Sequence, residues 1–243
     1  MARLPPSDPR WRPRRPPPAG LLRRYGLRAG RDDAWRHLYE REPELYDRLV
    51  EGEPLHPQLF RAMPLDGAVL VEVGAGTGRF TLPAASRAGH LYAVEPVAAM
   101  RAVLARKLAE RGIGNVSLLE GRAEAIPLPD GVADLTISAS AVGADHGGED
   151  ALGELRRVTR ARGQVVVLWP DDPGWFIDRG FGYVAYPGEL EVRFRDLPTA
   201  LACADIFYTP EVTEHFQRSR RPVIGFAALG VNPPRDLCRL TLS

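Results

Sequence analysis

The sequence predicts an α/β fold with a doubly wound, mostly parallel sheet and helices on both of its faces. From Ala68 onward, short apolar runs of strand length alternate with stretches of helix length, the order that builds parallel strands joined by helices. Within Val69–Leu82, the first apolar run passes through closely spaced glycines directly into a helical pattern. Such folds bind ligands outside the carboxyl ends of the strands, where the strand order reverses.

The loop after the first strand has glycine at three alternate positions, Gly74, Gly76 and Gly78. Because glycine lacks a Cβ, the loop can adopt positive φ and let a ligand lie against bare backbone, near the N–H groups that open the next helix. A cofactor with a polar or anionic end is therefore expected here. The spacing fails the dinucleotide fingerprint G-x-G-x-x-G, since Arg79 stands where the third glycine belongs.

The elements that follow continue the alternation. A second strand, His90–Glu95, ends in a carboxylate, which at that position can accept hydrogen bonds from both hydroxyls of a ribose. Next come an amphipathic helix over Val97–Gly112 and a third strand over Val116–Glu120. The strand Gln164–Trp169 extends the same pattern. These elements place a nucleotide-like ligand beside the glycine loop.

The run Glu72–Gly78, Glu-x-Gly-x-Gly-x-Gly, resembles the first motif of class I S-adenosylmethionine-dependent methyltransferases. The second strand with its carboxylate, the segment 121–138, the run Glu154–Val158 and the strand Gln164–Trp169 are similar to later segments of that family, in the same order. The resemblance is greatest to the small-molecule group that includes quinone-pathway and natural-product enzymes. It implies a Rossmann-like fold with a seven-stranded sheet and a helical N-terminal cap.

The resemblance also implies a site for S-adenosylmethionine, with S-adenosylhomocysteine as the product. The glycine loop would hold the amino-acid part, Glu95 the ribose and the backbone at Ala123 the adenine. Arg122 departs from the family, in which Asp is frequent at that position. Glu72 has two interpretations: it bonds loop amides and holds the glycine turn, or it lies near the ammonium group of the methyl donor. The expected cofactor-binding residues are Glu72, Gly74, Ala75, Gly76, Gly78, Glu95, Pro96, Ala123, Glu124 and Ser138.

The loop Ser140–Glu149 lies where the family tends to place substrate-side residues, so Asp145 and His146 are the candidates for a general base. The family does not always need one, because much of the rate can come from aligning the nucleophile, the methyl group and a good sulfonium leaving group. Aromatic side chains are the candidates for substrate contact, with simple core packing as the alternative. They are Tyr39 and Tyr46 in the cap, and Trp175 and Tyr183 in a candidate pocket segment, 171–195.

Residues that are absent weaken other methyltransferase classes. Enzymes that methylate exocyclic amines of nucleobases commonly have (Asp/Asn)-Pro-Pro-aromatic after the fourth strand, where this chain has Ser138–Val142. The run Asn232–Arg235 lacks the aromatic residue and is interpreted as a chain stop. Neither Cys203 nor Cys238 is placed to attack a pyrimidine ring carbon, and the two suggest neither a disulfide framework nor a zinc site.

No metal is expected. Asp145 with Asp171 and Asp172 could imitate the carboxylates of a magnesium-dependent enzyme, but Asp-Asp-Pro-Gly is also a good turn. There is no run of about 18 apolar residues, so no membrane span is expected. A reducing cytoplasm is the expected compartment, because the cysteines form no disulfide pattern.

Residues 1–31 hold nine arginines and one acid, with seven prolines among the first 18 positions. They are predicted to be a disordered basic tail, or alternatively an arm that adds affinity for nucleic acid or another anionic partner. The segment Leu197–Ala204 is predicted to be a helix, and Ile206–Gln217 with Pro222–Leu229 an antiparallel pair of strands. The predicted organisation is a tail (1–31), a helical cap (32–67), a methyltransferase domain (68–232) and a C-terminal tail (233–243).

The sequence thus predicts an S-adenosylmethionine-dependent methyltransferase that acts on a small molecule. One alternative is an RNA or protein methyltransferase anchored by the basic arm. Another is a cofactor-binding or regulatory protein without transfer chemistry. An oxidoreductase that uses NAD is disfavoured by the failed fingerprint.

Overall fold

The computed structural model describes residues 19–26 and 31–243, which form two compact units. The first unit contains 55–187 and 234–243, and the second contains the described residues before 55 together with 188–233. In chain order the helices are α1 (Ala19–Tyr25), α2 (Arg31–Arg41), α3 (Pro43–Gly52), α4 (Pro57–Arg61), α5 (Thr81–Ala85), α6 (Ala98–Glu110), α7 (Gly148–Val158), α8 (Pro173–Ile177), α9 (Leu197–Phe207), α10 (Pro210–Ser219) and α11 (Phe226–Leu229). The strands are β1 (Val69–Val73), β2 (His90–Val94), β3 (Val116–Leu119), β4 (Ala133–Ala139), β5 (Thr159–Leu168), β6 (Gly182–Ala185), β7 (Glu191–Arg193), β8 (Val223–Gly225) and β9 (Asp236–Thr241).

The first unit is built on a seven-stranded sheet in the order β3-β2-β1-β4-β5-β9-β6. Strands β1 to β5 run parallel, and β9 runs antiparallel to both of its neighbours. Strand β1 is a nearly continuous buried run, as expected for a parallel strand that is covered on both faces. Because β1 pairs with both β2 and β4, the strand order reverses between β1 and β4. The mostly parallel, seven-stranded sheet predicted from the sequence is confirmed.

Helices cover both faces of this sheet. One face packs against α4, α5 and α6, and the other against α7 and α8. Alternate residues of β5 point to the two cores: Val166 and Leu168 lie in the first, and Val165 and Val167 in the second. The predicted doubly wound arrangement follows from this two-sided burial.

The second unit combines α1, α2, α3, α9, α10 and α11 with an antiparallel pair of strands, β7 and β8. It has a core of its own, in which Leu38 and Phe216 are fully buried. Helix α9 begins after Asp196, whose Oδ1 accepts a hydrogen bond of 2.7 Å from the Thr199 N–H. Proline in the first turn opens α3, α4, α9 and α10.

The predicted tail 1–31 requires correction because α1 lies inside it. The segment was predicted to be disordered, yet Leu21 is fully buried in the core of the second unit. Leu22 and Tyr25 of the same helix pack against this core, and the other helices of the unit supply the rest of it. The parts of this prediction that fall on 1–18 and 27–30 lie outside the described residues.

The boundaries of the cap and of the methyltransferase domain also differ from the prediction. The segment 32–67 contains the three short helices α2, α3 and α4, but α4 belongs to the first unit. The segment 68–232 includes 188–233, which belongs to the second unit. The second unit is therefore assembled from two separate stretches of chain.

The last third of the chain contains two further corrections. The predicted C-terminal tail 233–243 contains β9, which pairs with both β5 and β6. The predicted strand over Ile206–Gln217 is instead the end of α9 followed by α10. Val212 and Phe216, four residues apart, are the buried residues of α10, so the apolar pattern there has the period of a helix.

Candidate cofactor site

The glycine loop lies directly after β1, at the position where the strand order reverses. Gly74, Gly76 and Gly78 have φ values of 79°, 55° and 94°, in the region that favours glycine. A Cβ on Gly74 would overlap the Cβ of Ala141, and one on Gly78 would approach Leu104 Cδ1 to 2.5 Å. The loop therefore requires glycine both for its dihedral angles and for its close packing.

Glu95 links the end of β2 to this loop. Its Oε2 accepts a hydrogen bond of 2.9 Å from the Gly76 N–H, and its Oε1 accepts one of 2.9 Å from the Val97 N–H. Burial raises the pKa of the Glu95 carboxyl, while the bonds from Val97 and Gly76 and the charge of Arg101 act in the opposite direction. Each carboxylate oxygen has a second lone pair, so the carboxylate can still accept hydrogen bonds from a diol.

Glu72 is 1 % exposed and accepts a hydrogen bond from the hydroxyl of Thr81 in α5. The first interpretation of this residue was a bond to loop amides. In the structure, the Gly76 N–H of the loop donates to Glu95 and not to Glu72. Burial raises the pKa of Glu72 to about 8, and the nearby charge of Glu95 adds to this, against the opposing bond from Thr81. A buried group of this kind gains most from a cationic partner.

Two buried hydroxyls accompany the loop. Thr77 is 1 % exposed, and Ser138, at the end of β4 and opposite Val73, is fully buried. Within the described part of the chain, Thr77 Oγ1 and Ser138 Oγ have no hydrogen-bond partner. Buried polar atoms are normally paired, so these two suit a polar ligand. The glycine loop and the two unpaired hydroxyls thus fit S-adenosylmethionine, the cofactor that the sequence resemblance implies.

The predicted adenine segment is held in place by α7. The Ile126 N–H donates to Glu154 Oε2 at 2.8 Å, and Arg157 donates to the carbonyls of Ile126 and Leu128. The Arg122 that replaces the family's frequent Asp lies 3.5 Å from the Glu124 carboxylate, and both side chains are exposed. Ala123 is partly buried between these two residues. The backbone of this segment is therefore well fixed, whereas the side chains of Arg122 and Glu124 are solvated.

The loop that follows β4 borders both ends of the candidate site. At its beginning, Ala141 packs against Gly74, and at its end Gly147 approaches Glu124, because a Cβ on Gly147 would lie 3.0 Å from Glu124 Oε1. His146 is half-buried next to Gly147, and Asp145 is exposed. The candidate bases are thus placed on the side of the adenine segment, and their catalytic role stays a prediction.

The ends of β4 and β5 carry two residues in the left-handed region. Ser140 and Trp169 have φ values of 63° and 50°, although neither is glycine. They are joined by a hydrogen bond of 3.1 Å from Ser140 Oγ to the Trp169 carbonyl, and the guanidinium of Arg79 lies 5.1 Å from the Trp169 ring centre. Such conformations cost energy and cluster at functional sites.

The aromatic candidates for substrate contact already have partners within the chain. The Arg179 guanidinium lies 3.9 Å from the centre of the Trp175 ring, and Tyr183 donates a hydrogen bond of 2.8 Å to Asp236 Oδ2. Both rings pack against the core beneath α7 and α8. Tyr39 and Tyr46 belong to the second unit, where they contact each other with ring centres 5.0 Å apart. Core packing, the alternative considered for these residues, accounts for these contacts.

Residues that act on the site through other side chains were not predicted from the sequence. Arg101 contacts the backbone beside Glu95, Thr81 bonds Glu72, and the Asp236 carboxyl is 5 % exposed beside Tyr183. Arg101 did carry a signal, because a cation in the first turn of a helix opposes the helix dipole and needs a compensating contact. Asp236 carried none, since its partner lies 53 positions away in the chain.

Within the described residues, no group of three or more His, Cys, Asp or Glu side chains is arranged to hold a metal ion. Asp172 caps α8 instead, accepting hydrogen bonds from the N–H groups of Gly174 and Trp175. Cys203 and Cys238 are buried free thiols. None of the helices in the described parts of the chain has the length and hydrophobicity that a membrane crossing requires.

Comparison with known proteins places residues 71–167 in the family described as methyltransferase domain. An uncharacterized methyltransferase of Mycobacterium bovis is 31% identical over 149 residues, covering 60% of this chain and 56% of the relative. One from Anoxybacillus flavithermus is 27% identical over 139 residues, covering 56% of this chain and 57% of the relative. The match thus spans little more than half the length of these relatives.

Solved structures share the fold. Precorrin 8W decarboxylase from Methanobacterium thermoautotrophicum superposes with a TM-score of 0.51 and 20% identity, over 78% of this chain and 92% of that one. A structure described as a methyltransferase from Bacillus halodurans gives a TM-score of 0.50 and 14% identity, over 75% of this chain and 96% of that one. At these identities the likeness concerns the fold. It confirms the predicted Rossmann-like fold, and the family match identifies a methyltransferase domain over residues 71–167.

Proposed function

Residues 71–167 carry a class I methyltransferase domain, and from this premise we propose that the chain transfers a methyl group from S-adenosylmethionine to a small-molecule acceptor. The observation that carries the proposal is the Glu95 carboxylate bound to the Gly76 N–H. This contact brings together the glycine loop and the carboxylate at the end of β2, the two features expected to hold the donor. The unpaired hydroxyls of Thr77 and Ser138 support it.

Each part of the site has a distinct task in this proposal. The glycine loop and the Glu72 carboxylate would hold the amino-acid part of the donor, Glu95 would accept the ribose hydroxyls, and the backbone at Ala123 would contact the adenine. S-adenosylmethionine supplies an electrophilic methyl group on a positively charged sulfur. The chain contributes alignment of the acceptor and, where the acceptor needs it, a proton acceptor, for which Asp145 and His146 are the candidates.

Calorimetric titration with S-adenosylhomocysteine tests the cofactor assignment. We expect saturable binding by the wild type, strong weakening in Glu95→Ala, and little change in Glu110→Ala, because Glu110 is exposed on α6. NAD serves as the competing ligand. No binding of S-adenosylhomocysteine to a folded wild type would refute the proposal, and binding of NAD alone would favour an oxidoreductase.

The small-molecule acceptor is the finer part of the proposal. It rests on the resemblance to the quinone-pathway and natural-product group and on the absence of the residues that polymer-directed subclasses use after β4. If Trp175 or Tyr183 contacts the acceptor, Ala substitution there should raise the acceptor KM, and the same holds for Tyr39 and Tyr46. A reducing cytoplasm stays the proposed compartment, consistent with two free thiols.

A polymer acceptor is the second candidate, because residues 1–31 contain nine arginines and one acid. Such a segment would bind RNA with an affinity that falls steeply with salt, through release of counterions. Removing 1–18 distinguishes the two candidates while leaving α1 intact. Loss of activity on RNA or protein in the truncated chain would favour the polymer, whereas unchanged activity on a small acceptor would favour the first proposal.

A further inference from the structure

Arg101 connects three parts of the candidate cofactor site. It lies in the first turn of α6 and donates from Nη1 to the carbonyls of Glu95 and Pro96, at 2.7 and 2.8 Å. From Nη2 it pairs with Glu120 Oε2 at 2.5 Å, directly after β3. The guanidinium therefore fixes the ends of two neighbouring strands, β2 and β3, to the start of α6.

Glu95 extends this connection to the glycine loop through the Gly76 N–H. The side chain of Arg101 is 17% exposed, whereas that of Glu120 is 76% exposed. Pairing with an exposed acid alone contributes little to stability. A largely buried guanidinium that binds two backbone carbonyls is held at a defined place, because it has several donors in a fixed fork.

Helix electrostatics indicate that this arrangement has a role beyond the stability of α6. A cation in the first helical turn faces the positive end of the helix dipole and is unfavourable there. Three acceptors compensate for this at Arg101, and all three lie at the carboxyl ends of β2 and β3. That edge is where folds of this class bind their ligands.

We propose that Arg101 is a positioning residue for the cofactor, which holds the backbone of Glu95 and Pro96 so that the Glu95 carboxylate stays directed at the glycine loop. This inference rests on the proposed function for its ligand. Its structural basis, the chain of contacts from Glu120 through Arg101 and Glu95 to Gly76, is independent of it.

The charged groups around Glu95 determine the effect of removing Arg101. Arg101 is the cation that favours the ionised form of Glu95, whereas Glu72 in β1 is an acid whose own ionisation is disfavoured by the charge of Glu95. Burial disfavours the ionised form of Glu95 and so opposes Arg101. Loss of Arg101 should therefore raise the pKa of Glu95 further, so that the carboxylate becomes protonated at a higher pH than in the wild type.

The test compares Arg101→Met and Arg101→Lys with the wild type and with Arg106→Met. Arg106 is the matched control, because it lies on the same helix and pairs with Glu110 at the surface. Calorimetric titration with S-adenosylhomocysteine across a range of pH gives the affinity and the pH at which it is lost. Hydrogen exchange of the Gly76 and Val97 amides, measured without ligand, reports whether the Glu95 carboxylate still bonds them.

We expect Arg101→Met to bind about tenfold more weakly near neutral pH, in line with the loss of charge-assisted hydrogen bonds. As the pH is lowered, its affinity should be lost at a higher pH than that of the wild type. Hydrogen exchange at the Gly76 and Val97 amides should accelerate. Compared with Arg101→Met, Arg101→Lys should recover the wild-type pH dependence of binding more fully than the wild-type affinity. An ammonium keeps the positive charge but lacks the fork of donors that the guanidinium presents to the two carbonyls. Arg106→Met should behave as the wild type.

The outcomes separate this inference from the proposed function. Wild-type affinity, pH dependence and amide exchange in a folded Arg101→Met would overturn the role of Arg101. If Arg101→Met does not fold, Arg101→Lys decides by the same measurements. If the wild type itself fails to bind S-adenosylhomocysteine, the proposed function fails, and the amide exchange alone still supports or overturns the positioning of Glu95.

Discussion

Replacing Asp236 by Asn should stabilise the first unit at neutral pH. Asp236 is 5 % exposed. Its Oδ2 accepts a hydrogen bond from the Tyr183 hydroxyl, and its Oδ1 has no hydrogen-bond partner among the described residues. Burial raises its pKa to about 6, against a hydrogen bond from Tyr183 and the charge of Arg235. Asn preserves the carbonyl acceptor for Tyr183 but cannot ionise.

The size of the effect follows from the shift in pKa. With a folded-state pKa of about 6 and an ordinary value of 3.8, the protonated form is favoured by folding. The free energy of unfolding is then highest below the ordinary pKa, falls as the pH rises through 4 to 6 and is level above that. About two pKa units at about 1.4 kcal/mol each give roughly 3 kcal/mol as an upper estimate of the cost of ionisation.

Urea denaturation at pH 4 and at pH 7.5 measures this difference, provided that fluorescence and circular dichroism give coincident transitions. We expect Asp236→Asn to match the wild type at pH 4 and to exceed it by up to about 3 kcal/mol at pH 7.5. Asp196→Asn is a control of opposite sign, because hydrogen bonds from Thr199 lower the pKa of the exposed Asp196. A gain for Asp236→Asn that is the same at both pH values would refute the electrostatic argument.

Three further predictions concern the cofactor site and its surroundings. Gly74→Ala should abolish binding of S-adenosylhomocysteine, because the new Cβ overlaps Ala141, whereas Gly112→Ala, at a φ of 63° with open space around it, should bind normally, as calorimetry will show. Binding at pH 7 should release up to about one proton from Glu72, whose pKa of about 8 falls when an ammonium group approaches; calorimetry in two buffers of different ionisation enthalpy measures this, and Glu72→Gln should release less. Thr81→Val removes the hydrogen bond that lowers the pKa of Glu72, so more of the Glu72 carboxyl is protonated at pH 8 and binding should release more protons than in the wild type. An unchanged proton release would contradict the role of that bond.

The cofactor half of the first unit could be predicted because its signals are local. The strand, the glycines and the start of the next helix fall within Val69–Leu82, and each requirement acts on neighbouring residues. Glu95 follows its own strand directly, so the order of strands placed its carboxylate near the glycine loop, whose Gly76 N–H it bonds. The predicted parallel strands are confirmed, and the family match falls on this same part of the chain, residues 71–167.

The remainder depends on contacts between distant parts of the chain. Strand β9 is six residues long and pairs with β5, about 70 positions earlier, so nothing in its own sequence distinguishes it from a tail. The error over Ile206–Gln217 has a different cause. This segment was predicted to be one strand of a closing antiparallel pair, but Pro210 at the start of a helical turn and the spacing of Val212 and Phe216 were signals for α10.

The electrostatics of the site also discriminate between the alternative cofactors. Glu72 and Glu95 are both buried beside the glycine loop, and the charge of Glu95 raises the cost of ionising Glu72. A dinucleotide would bring a doubly charged pyrophosphate to that loop, which would add to this repulsion. A ligand with an ammonium group and a sulfonium reduces it, and the orphaned hydroxyls of Thr77 and Ser138 can serve its polar atoms. We therefore expect the chain to bind S-adenosylmethionine more tightly than its uncharged-sulfur product, and both far more tightly than NAD. The differences between these affinities should become smaller in Glu72→Gln, which lacks the buried acid.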